Sequence, residues 1–436
     1  MDKYNLVSFF GIFILLGFAW LISADKKRMN WRLIFWGIVL QMIFAMFIFM
    51  APAGSTVFLF LNKAVVKMLE CASAGSRFLF GRLALPPGAV NEAGETSLGF
   101  SLAFQAFPTI IFFSALMSIL YFLNIMPRII RAFSYVFTKL MKVSGAESLC
   151  VSSNIFVGIE SAFTIRPYLN NMTRSELCTI LTAGMTTVAS NVLAVYVFSL
   201  VGLFPTIAGH LVSASILSAP AALIMSKILL PESDKPETLG QFVKPHYEKE
   251  SNLFEAIING AGAGVKLIVG IVALLIAVLG LVALLDFFLN WISYKINALW
   301  GLQIALNLKS LLGYVFYPFS IIIGVPASDA GTISKIIGER SILTEVTAYQ
   351  DLAFAIKNNL IQHPRSIVIT TYALCGFAHV ASMAIFIGGI AAIAPSRTRA
   401  LSQVGIRALI AATLACLMTA CVAGAFFSDG SILLGK

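Results

Sequence analysis

The chain has 436 residues, of which 59% are hydrophobic and only 11% are charged. Because a soluble domain carries about a quarter charged residues, this composition excludes an ordinary soluble enzyme or binding module and predicts an integral membrane protein. The net charge of +10 fits basic loops at the cytoplasmic face, and no stretch interleaves aromatic and basic residues as a nucleic-acid groove does.

Apolar windows predict eight transmembrane helices, because each is about 20 residues long and continuous rather than alternating as in a β-barrel. The windows are 6–22, 32–51, 104–125, 176–203, 207–230, 264–290, 366–395 and 404–427. The first is expected to be a retained span rather than a cleaved signal peptide, since Asp2 precedes it and no small-x-small cleavage site follows.

Basic residues cluster in the loops after the first, third and seventh spans. They are Lys26, Lys27, Arg28 and Arg32, then Arg128, Arg131, Lys139 and Lys142, and finally Arg397 and Arg399. The positive-inside rule predicts that these loops are cytoplasmic and that both chain termini lie outside.

The segments between the spans are of two kinds. Residues 55–100 contain an amphipathic stretch that we expect in the membrane interface, whereas residues 231–255 form the only loop with a soluble composition. The six cysteines mostly lie in apolar runs without a CxxC motif, which favours small core residues over disulfides or metal ligands. They are Cys71, Cys150, Cys178, Cys375, Cys416 and Cys421.

The chain repeats itself. "YVFTKLMKVSG" (Tyr135–Gly145) matches "YVFYPFSIIIG" (Tyr314–Gly324), and "GMTTVAS" (Gly184–Ser190) matches "GFAHVAS" (Gly376–Ser382). Between the two words of each copy lies a polar, broken segment with a glutamate, Glu160 in the first and Glu345 in the second. Three intervening spans would invert the second copy relative to the first.

Inverted repeats with interrupted apolar segments are typical of secondary transporters that bind their solute at the midplane. Non-helical backbone at that depth is tolerated only where it lines protein or a wet cavity. We therefore expect two re-entrant hairpins, and the absence of a Walker loop or of a nucleophile–base motif favours an ion-coupled transporter over an ATP-driven pump or an enzyme.

The two glutamates are the candidate functional groups, because a carboxylate at the bilayer centre costs about 3 kcal/mol on insertion scales. Glu160, with the Asn154 amide and nearby backbone carbonyls, offers oxygen ligands to sodium or a polar solute, and Glu345 can accept both hydroxyls of a sugar diol. The alternatives are structural ion pairs with Arg166 and with Arg340. His379 stands where the first copy has Thr187 and is predicted to bind solute or relay protons rather than to fill the core.

Several further sequence motifs follow one another along the same region. They are "PTIIFFSALMSILYFLNIM", "VSGAESL", "NIFVG", "LTEVTAY", "TYALCGFAH" and "IGGIAAIAPSRTRALSQVGIRAL". With these words the chain, from about Phe104 to Phe427, resembles the concentrative nucleoside transporter family. The resemblance implies an all-α homotrimer with eight transmembrane helices and two re-entrant hairpins, at about 135–172 and 311–360. A scaffold would carry the trimer contacts and a transport domain would move like an elevator.

The resemblance divides the chain and assigns its site. Residues 1–103 would be N-terminal scaffold, 104–230 the first repeat, 231–260 a cytoplasmic loop and 261–436 the second repeat. The implied substrate contacts are Ile159, Glu160, Glu345, Phe377, His379 and Ser382, and the implied sodium ligands are Asn154, Val157, Asn191 and Val192.

This chain departs from the family pattern at the first hairpin. The family reads Gly-Gln-Thr-Glu-Ala-Pro where this chain has Gly158-Ile159-Glu160-Ser161-Ala162-Phe163, so Ile159 replaces a polar pair that would read the base. An asparagine that lines the ribose has become His379, and a sodium-site serine has become Asn191.

The sequence thus predicts a cation-coupled nucleoside importer, not an enzyme, in the cytoplasmic (inner) membrane, with ribose recognition kept and base recognition altered. Its partners would be the nucleoside, membrane lipid and its own copies, and its coupling ion sodium or a proton, with no cofactor. The alternatives are a transporter of another small polar solute and a non-transporting nucleoside sensor.

Overall fold

The computed structural model describes residues 2–91, 94–247, 250–300 and 306–428, and most of these residues are helical. The helices of the first half are α1 (Lys3–Leu21), α2 (Trp31–Met50), α3 (Pro52–Phe80), α4 (Phe107–Phe122), α5 (Ile125–Met141), α6 (Gly145–Asn154), α7 (Arg174–Thr186), α8 (Ser190–Leu200) and α9 (Ile207–Leu229). The second half contains α10 (Leu253–Trp300), α11 (Leu308–Ile322), α12 (Ala327–Arg340), α13 (Glu345–Lys357), α14 (Pro364–Leu374), α15 (Val380–Ile393) and α16 (Thr398–Ala425).

All eight predicted spans are helical, as expected for a multi-pass membrane protein. Seven segments of the described chain are long and apolar enough to cross a membrane, and the eighth predicted span, 366–395, is divided into the shorter helices α14 and α15. The predicted external C-terminus, residues 429–436, lies outside the described residues.

Two spans are broken part-way along. Residues 187–189 separate α7 from α8, and residues 375–379 separate α14 from α15. At Gly376 the backbone φ is +126°, and a Cβ there would lie 2.6 Å from the Thr186 carbonyl oxygen. Glycine is therefore required for the two breaks to approach each other.

The same order of elements occurs twice, as the sequence repeats predict. In the first copy α5 leads into a hairpin of α6 and a 3₁₀ segment (Ile159–Asn171), followed by the broken pair α7–α8 and then α9. In the second copy α11 leads into a hairpin of α12 and α13, followed by α14–α15 and α16. We call these hairpin 1 and hairpin 2.

Burial separates a central group of helices from a peripheral one. The most apolar windows of α7–α8, α9 and α16 are 83–89% buried, whereas none of the corresponding window of α10 is buried. Much of the apolar surface of α10 thus remains uncovered within one chain, although one of its faces packs against α4. Helix α3, in the stretch predicted to be interfacial, is amphipathic and packs against α2, α4 and α9.

The loop 231–255 is mostly exposed, as its composition predicts, but part of it packs against the start of α6. Thr238 is buried, its hydroxyl lies 2.8 Å from the Ser144 hydroxyl and accepts from the backbone N–H of Ala146, and its carbonyl accepts from the N–H of Gly145. These groups lie at the start of α6, where helical N–H groups have no intrahelical partner. The loop supplies those partners through Thr238, which is why this polar residue is buried.

The same loop also contacts α5 and the returning arm of hairpin 1. Phe242 stacks on Tyr135 with ring centroids 4.8 Å apart, and the backbone N–H of His246 donates to the Thr164 carbonyl at 2.9 Å. Residues 248 and 249 of the loop lie outside the described residues. The loop therefore binds both arms of hairpin 1.

A buried ion pair supports the base of hairpin 1. Lys227, near the end of α9, lies 2.9 Å from Glu147 in the first turn of α6 and 3.3 Å from Glu232, and it donates to the Ser175 hydroxyl at 3.0 Å. Glu147 and Lys227 are both buried. The pair ties α6 to α7 and α9.

Candidate functional site

The hairpin tips and the helix breaks surround one small cavity of about 110 Å³. All six residues predicted to contact substrate line it: Ile159, Glu160, Glu345, Phe377, His379 and Ser382. Because pockets for drug-sized ligands measure about 300–1,000 Å³, this cavity must widen before it accepts a nucleoside-sized solute.

Glu345 is the most constrained of these residues. It is 5% exposed and is the first residue of α13. The Tyr196 hydroxyl donates to its Oε1 at 2.8 Å, and Nε2 of His379 lies 2.8 Å from its Oε2. Since each carboxylate oxygen offers about two acceptor positions, one position on each oxygen remains for a hydroxyl of a solute.

Tyr196 is a site residue that the sequence reasoning missed. It lies in α8, is buried, and stacks on Tyr349 with ring centroids 4.6 Å apart. A tyrosine inside an apolar span needs a partner for its hydroxyl, and that signal in "VLAVYVF" was available.

His379 caps α15 as well as facing Glu345. Its Nδ1 accepts from the backbone N–H of Ser382 at 3.2 Å, and the Ser382 hydroxyl lies 2.6 Å from its Nε2. His379 therefore links the N-terminus of α15, through Nδ1, to the Glu345 carboxylate, through Nε2.

The first hairpin tip is asymmetric in polarity. The Glu160 side chain is exposed to the cavity, whereas Ile159 packs on α15 at Gly389, where an added Cβ would lie 2.0 Å from Ile159 Cδ1. The substitution by isoleucine therefore replaces polar groups by an apolar contact that holds the tip against α15.

The structural ion pairs considered for the two glutamates do not form. Among the described residues, the ion pairs include neither Glu160 with Arg166 nor Glu345 with Arg340. Arg340 instead donates to the Ala373 carbonyl at 3.0 Å. Both carboxylates thus remain directed at the cavity.

The four predicted sodium ligands lie near the first tip but differ in whether their oxygen atoms are free to bind a cation. Asn154 Oδ1 and Asn191 Oδ1 are buried and have no hydrogen-bond partner within the described chain, and Val157 follows α6, where its carbonyl is outside a helix. Val192 is different. It lies in the first turn of α8, where helix geometry directs its carbonyl to the N–H four residues on.

A larger vestibule adjoins the site. It measures about 1040 Å³, and Glu160 and Asn191 line both cavities. Its wall includes Tyr247 of the 231–255 loop, whose ring packs on Tyr121. Burial raises the pKa of Tyr247 to about 12, so this phenol is uncharged at neutral pH. The opposite wall of the small cavity is apolar and comes from α10, through Leu267, Ile271, Leu274 and Leu275.

Three family models match the chain. They are described as Na+ dependent nucleoside transporter C-terminus over residues 210–424, Na+ dependent nucleoside transporter N-terminus over residues 10–83, and nucleoside recognition over residues 103–204. Together they extend over most of the sequence.

Relatives align over almost the whole chain. Solute carrier family 28 member 3 of Mus musculus is 37% identical over 97% of this chain, and the chain spans 59% of the length of that relative. An uncharacterized transporter of Haemophilus influenzae is 34% identical over 98% of this chain and 99% of its own length.

Solved structures share the fold. CNTnw in an inward-facing substrate-bound state superposes with a TM-score of 0.85 at 30% identity, covering 97% of this chain and 98% of that one. A CNTnw variant in an outward-facing state gives a TM-score of 0.86 at 30% identity, covering 98% of both chains.

Proposed function

Because the chain belongs to the Na+ dependent nucleoside transporter family, we propose that it is a cation-coupled secondary importer of nucleosides and not an enzyme. The observation that carries the proposal is the pair of carboxylates, Glu160 and Glu345, one from each hairpin, directed at one cavity between the two repeats. Such a midplane cavity between inverted repeats is where secondary transporters bind their solute.

The sugar would bind at hairpin 2. The free acceptor positions on Glu345 match two adjacent hydroxyls, and Ser382 and Phe377 would contact the same ring. The base would face Glu160 and Ile159, and since Ile159 offers no hydrogen bond, we expect base discrimination to depend on Glu160 and on shape.

Sodium is the proposed coupling ion. The partnerless Oδ1 of Asn154 and the Val157 carbonyl are hard oxygen donors of the kind that sodium needs, and the break after α7 adds carbonyls at the negative end of a helix. We therefore assign the remaining backbone ligands to Thr187 and Val188 rather than to Val192, while Asn191 faces both ion and solute. The alternative to sodium coupling is proton coupling through His379.

The transport cycle would be an elevator movement in a homotrimer. The uncovered apolar surface of α10 suits contact with lipid or with a second copy, and residues 1–103 would belong to the same scaffold. The repeats, 104–230 and 261–436, would supply the moving hairpins, with 231–260 on the cytoplasmic side of the inner membrane.

The membrane potential would drive uptake, because moving one charge through 100 mV is worth about 2.3 kcal/mol. In this conformation the solute cavity adjoins the vestibule beside the predicted cytoplasmic loop, which suits release to the cytoplasm.

Counterflow of labelled uridine or adenosine in proteoliposomes, with sodium and pH varied separately, tests the proposal. We expect exchange that requires sodium. A different polar solute is the second candidate, because Ile159 and His379 alter two family contacts, and sugars and bases in the same assay identify it. If no nucleoside moves under any gradient yet one still binds, the chain is a sensor and the importer proposal fails.

A further inference from the structure

The tip of hairpin 2 contains a buried guanidinium. The Arg340 side chain is 0% exposed, and its Nη1 donates to the Ala373 carbonyl at 3.0 Å. Within the described chain its Nε and Nη2 have no hydrogen-bond partner and no carboxylate pairs with it. A charge removed from water is costly unless something compensates it, so another source of negative potential must hold it.

Two helix C-termini supply that potential. Arg340 is the last residue of α12, and Ala373 is the second-last residue of α14. The final carbonyls of a helix lack intrahelical partners and together carry about half a negative charge. The adjacent helix pair has the opposite polarity, since Glu345 begins α13 and contacts His379, the N-cap of α15.

The first repeat has the corresponding helix ends but no fixed charge there. The last residue of α6 is Asn154, which is 0% exposed and neutral, and its Oδ1 has no hydrogen-bond partner in the described ranges. The segment after α6 meets the break after α7, because the backbone N–H of Ser190 donates to the Phe156 carbonyl at 3.0 Å, and among the described residues no cationic side chain hydrogen-bonds the Asn154 Oδ1 there.

We propose that Arg340 is a built-in cation that does in the second repeat what the coupling cation does in the first. The inference rests on the proposed function. Hairpin 2 then has its helix ends neutralised at all times, whereas hairpin 1 is neutralised only when an ion binds. One coupling cation per cycle follows from this asymmetry. Replacing Arg340 by a neutral residue should create a second cation site.

The experiment compares uridine binding as a function of sodium in wild type, Arg340→Gln and Arg340→Lys. For Arg340→Gln we expect about tenfold weaker uridine binding at low sodium, the scale of a partly buried cation at a helix C-terminus, and a sodium dependence that changes from one site to two. Arg340→Lys should keep the one-site dependence, because it keeps the charge.

Arg365→Gln is the matched control. Arg365 is also buried, at the other end of α14, but among the described residues its hydrogen-bond acceptors include Gly324, Asn5, Gly424, Tyr4 and Ser8. This variant should lose folded protein while the folded fraction keeps the one-site sodium dependence.

The outcomes separate the two proposals. If wild type neither binds nor moves uridine, the proposed function fails. If wild type is active and folded Arg340→Gln shows unchanged sodium dependence, or Arg340→Lys loses as much as Arg340→Gln, only the present inference is overturned. If Arg340→Gln does not fold at low sodium, sodium should restore its thermal transition, and the absence of that rescue also overturns the inference.

Discussion

The replacement of Glu345 by glutamine is the most direct test of how this chain would recognise a sugar. The carboxylate accepts from Tyr196 at 2.8 Å and faces His379 at 2.8 Å, and its two free acceptor positions are available for a diol. Glutamine keeps the volume but removes the charge and turns one acceptor into a donor. That donor would face the hydroxyl of Tyr196 or Nε2–H of His379.

The expected loss of uridine affinity follows from the hydrogen bonds that Glu345→Gln would remove between the carboxylate and the sugar. A hydrogen bond to a charged group contributes about 1.5–3 kcal/mol, and a tenfold change in affinity corresponds to about 1.4 kcal/mol. The loss of two such bonds predicts about 100-fold weaker uridine binding at least. Wild type should also prefer uridine to 2′-deoxyuridine by about tenfold, one charged bond, and Glu345→Gln should lose that preference.

The assay is calorimetric titration of both nucleosides, with the thermal transition as a measure of folding. Glu237→Gln, an exposed loop carboxylate that accepts from Asn171, is the control and should bind like wild type. A folded Glu345→Gln protein that keeps the affinity for uridine, or the preference over the deoxy form, would refute the assignment of the sugar to Glu345.

Three other predictions concern separate parts of the site. His379→Asn keeps a cap for α15 but removes the imidazole, so uptake should lose its pH dependence if His379 carries the proton, and an unchanged profile would exclude that role. Gly389→Ala places a Cβ 2.0 Å from Ile159 Cδ1 and should impair uptake, and Gly389→Ala combined with Ile159→Ala should recover it. No recovery would mean that the contact at Gly389 does not limit closure. Lys227→Met leaves Glu147 buried without its partner and should destabilise the fold by about 3–5 kcal/mol, measured by the thermal transition. Adding Glu147→Gln should restore most of that loss, and failure to do so would show that the ion pair is not what ties α6 to α9.

The sequence could predict the class of fold because a bilayer constrains it so strongly. Eight apolar windows had to be helices, and the repeated words predicted that the two halves share one order of elements. Those features depend on local composition, and no long-range packing was needed to recognise them. The same holds for the loop 231–255 only in part. Its composition predicts exposure to solvent, and most of the loop is exposed. Thr238 is buried, however, because it accepts hydrogen bonds from the N–H groups at the start of α6.

Which residues meet in the site was decided by tertiary structure. Tyr196, Glu345 and His379 are far apart in the chain, and their contacts exist only because α8, α13 and α15 converge at the two breaks. Sequence patterns identify Glu345 and His379 as site residues, but they do not reveal that His379 and Tyr196 both contact the Glu345 carboxylate. The environment of the buried Arg340 also depends on tertiary structure. The C-termini of two helices lie beside it, and their negative potential acts on Arg340 only because the helices pack together there.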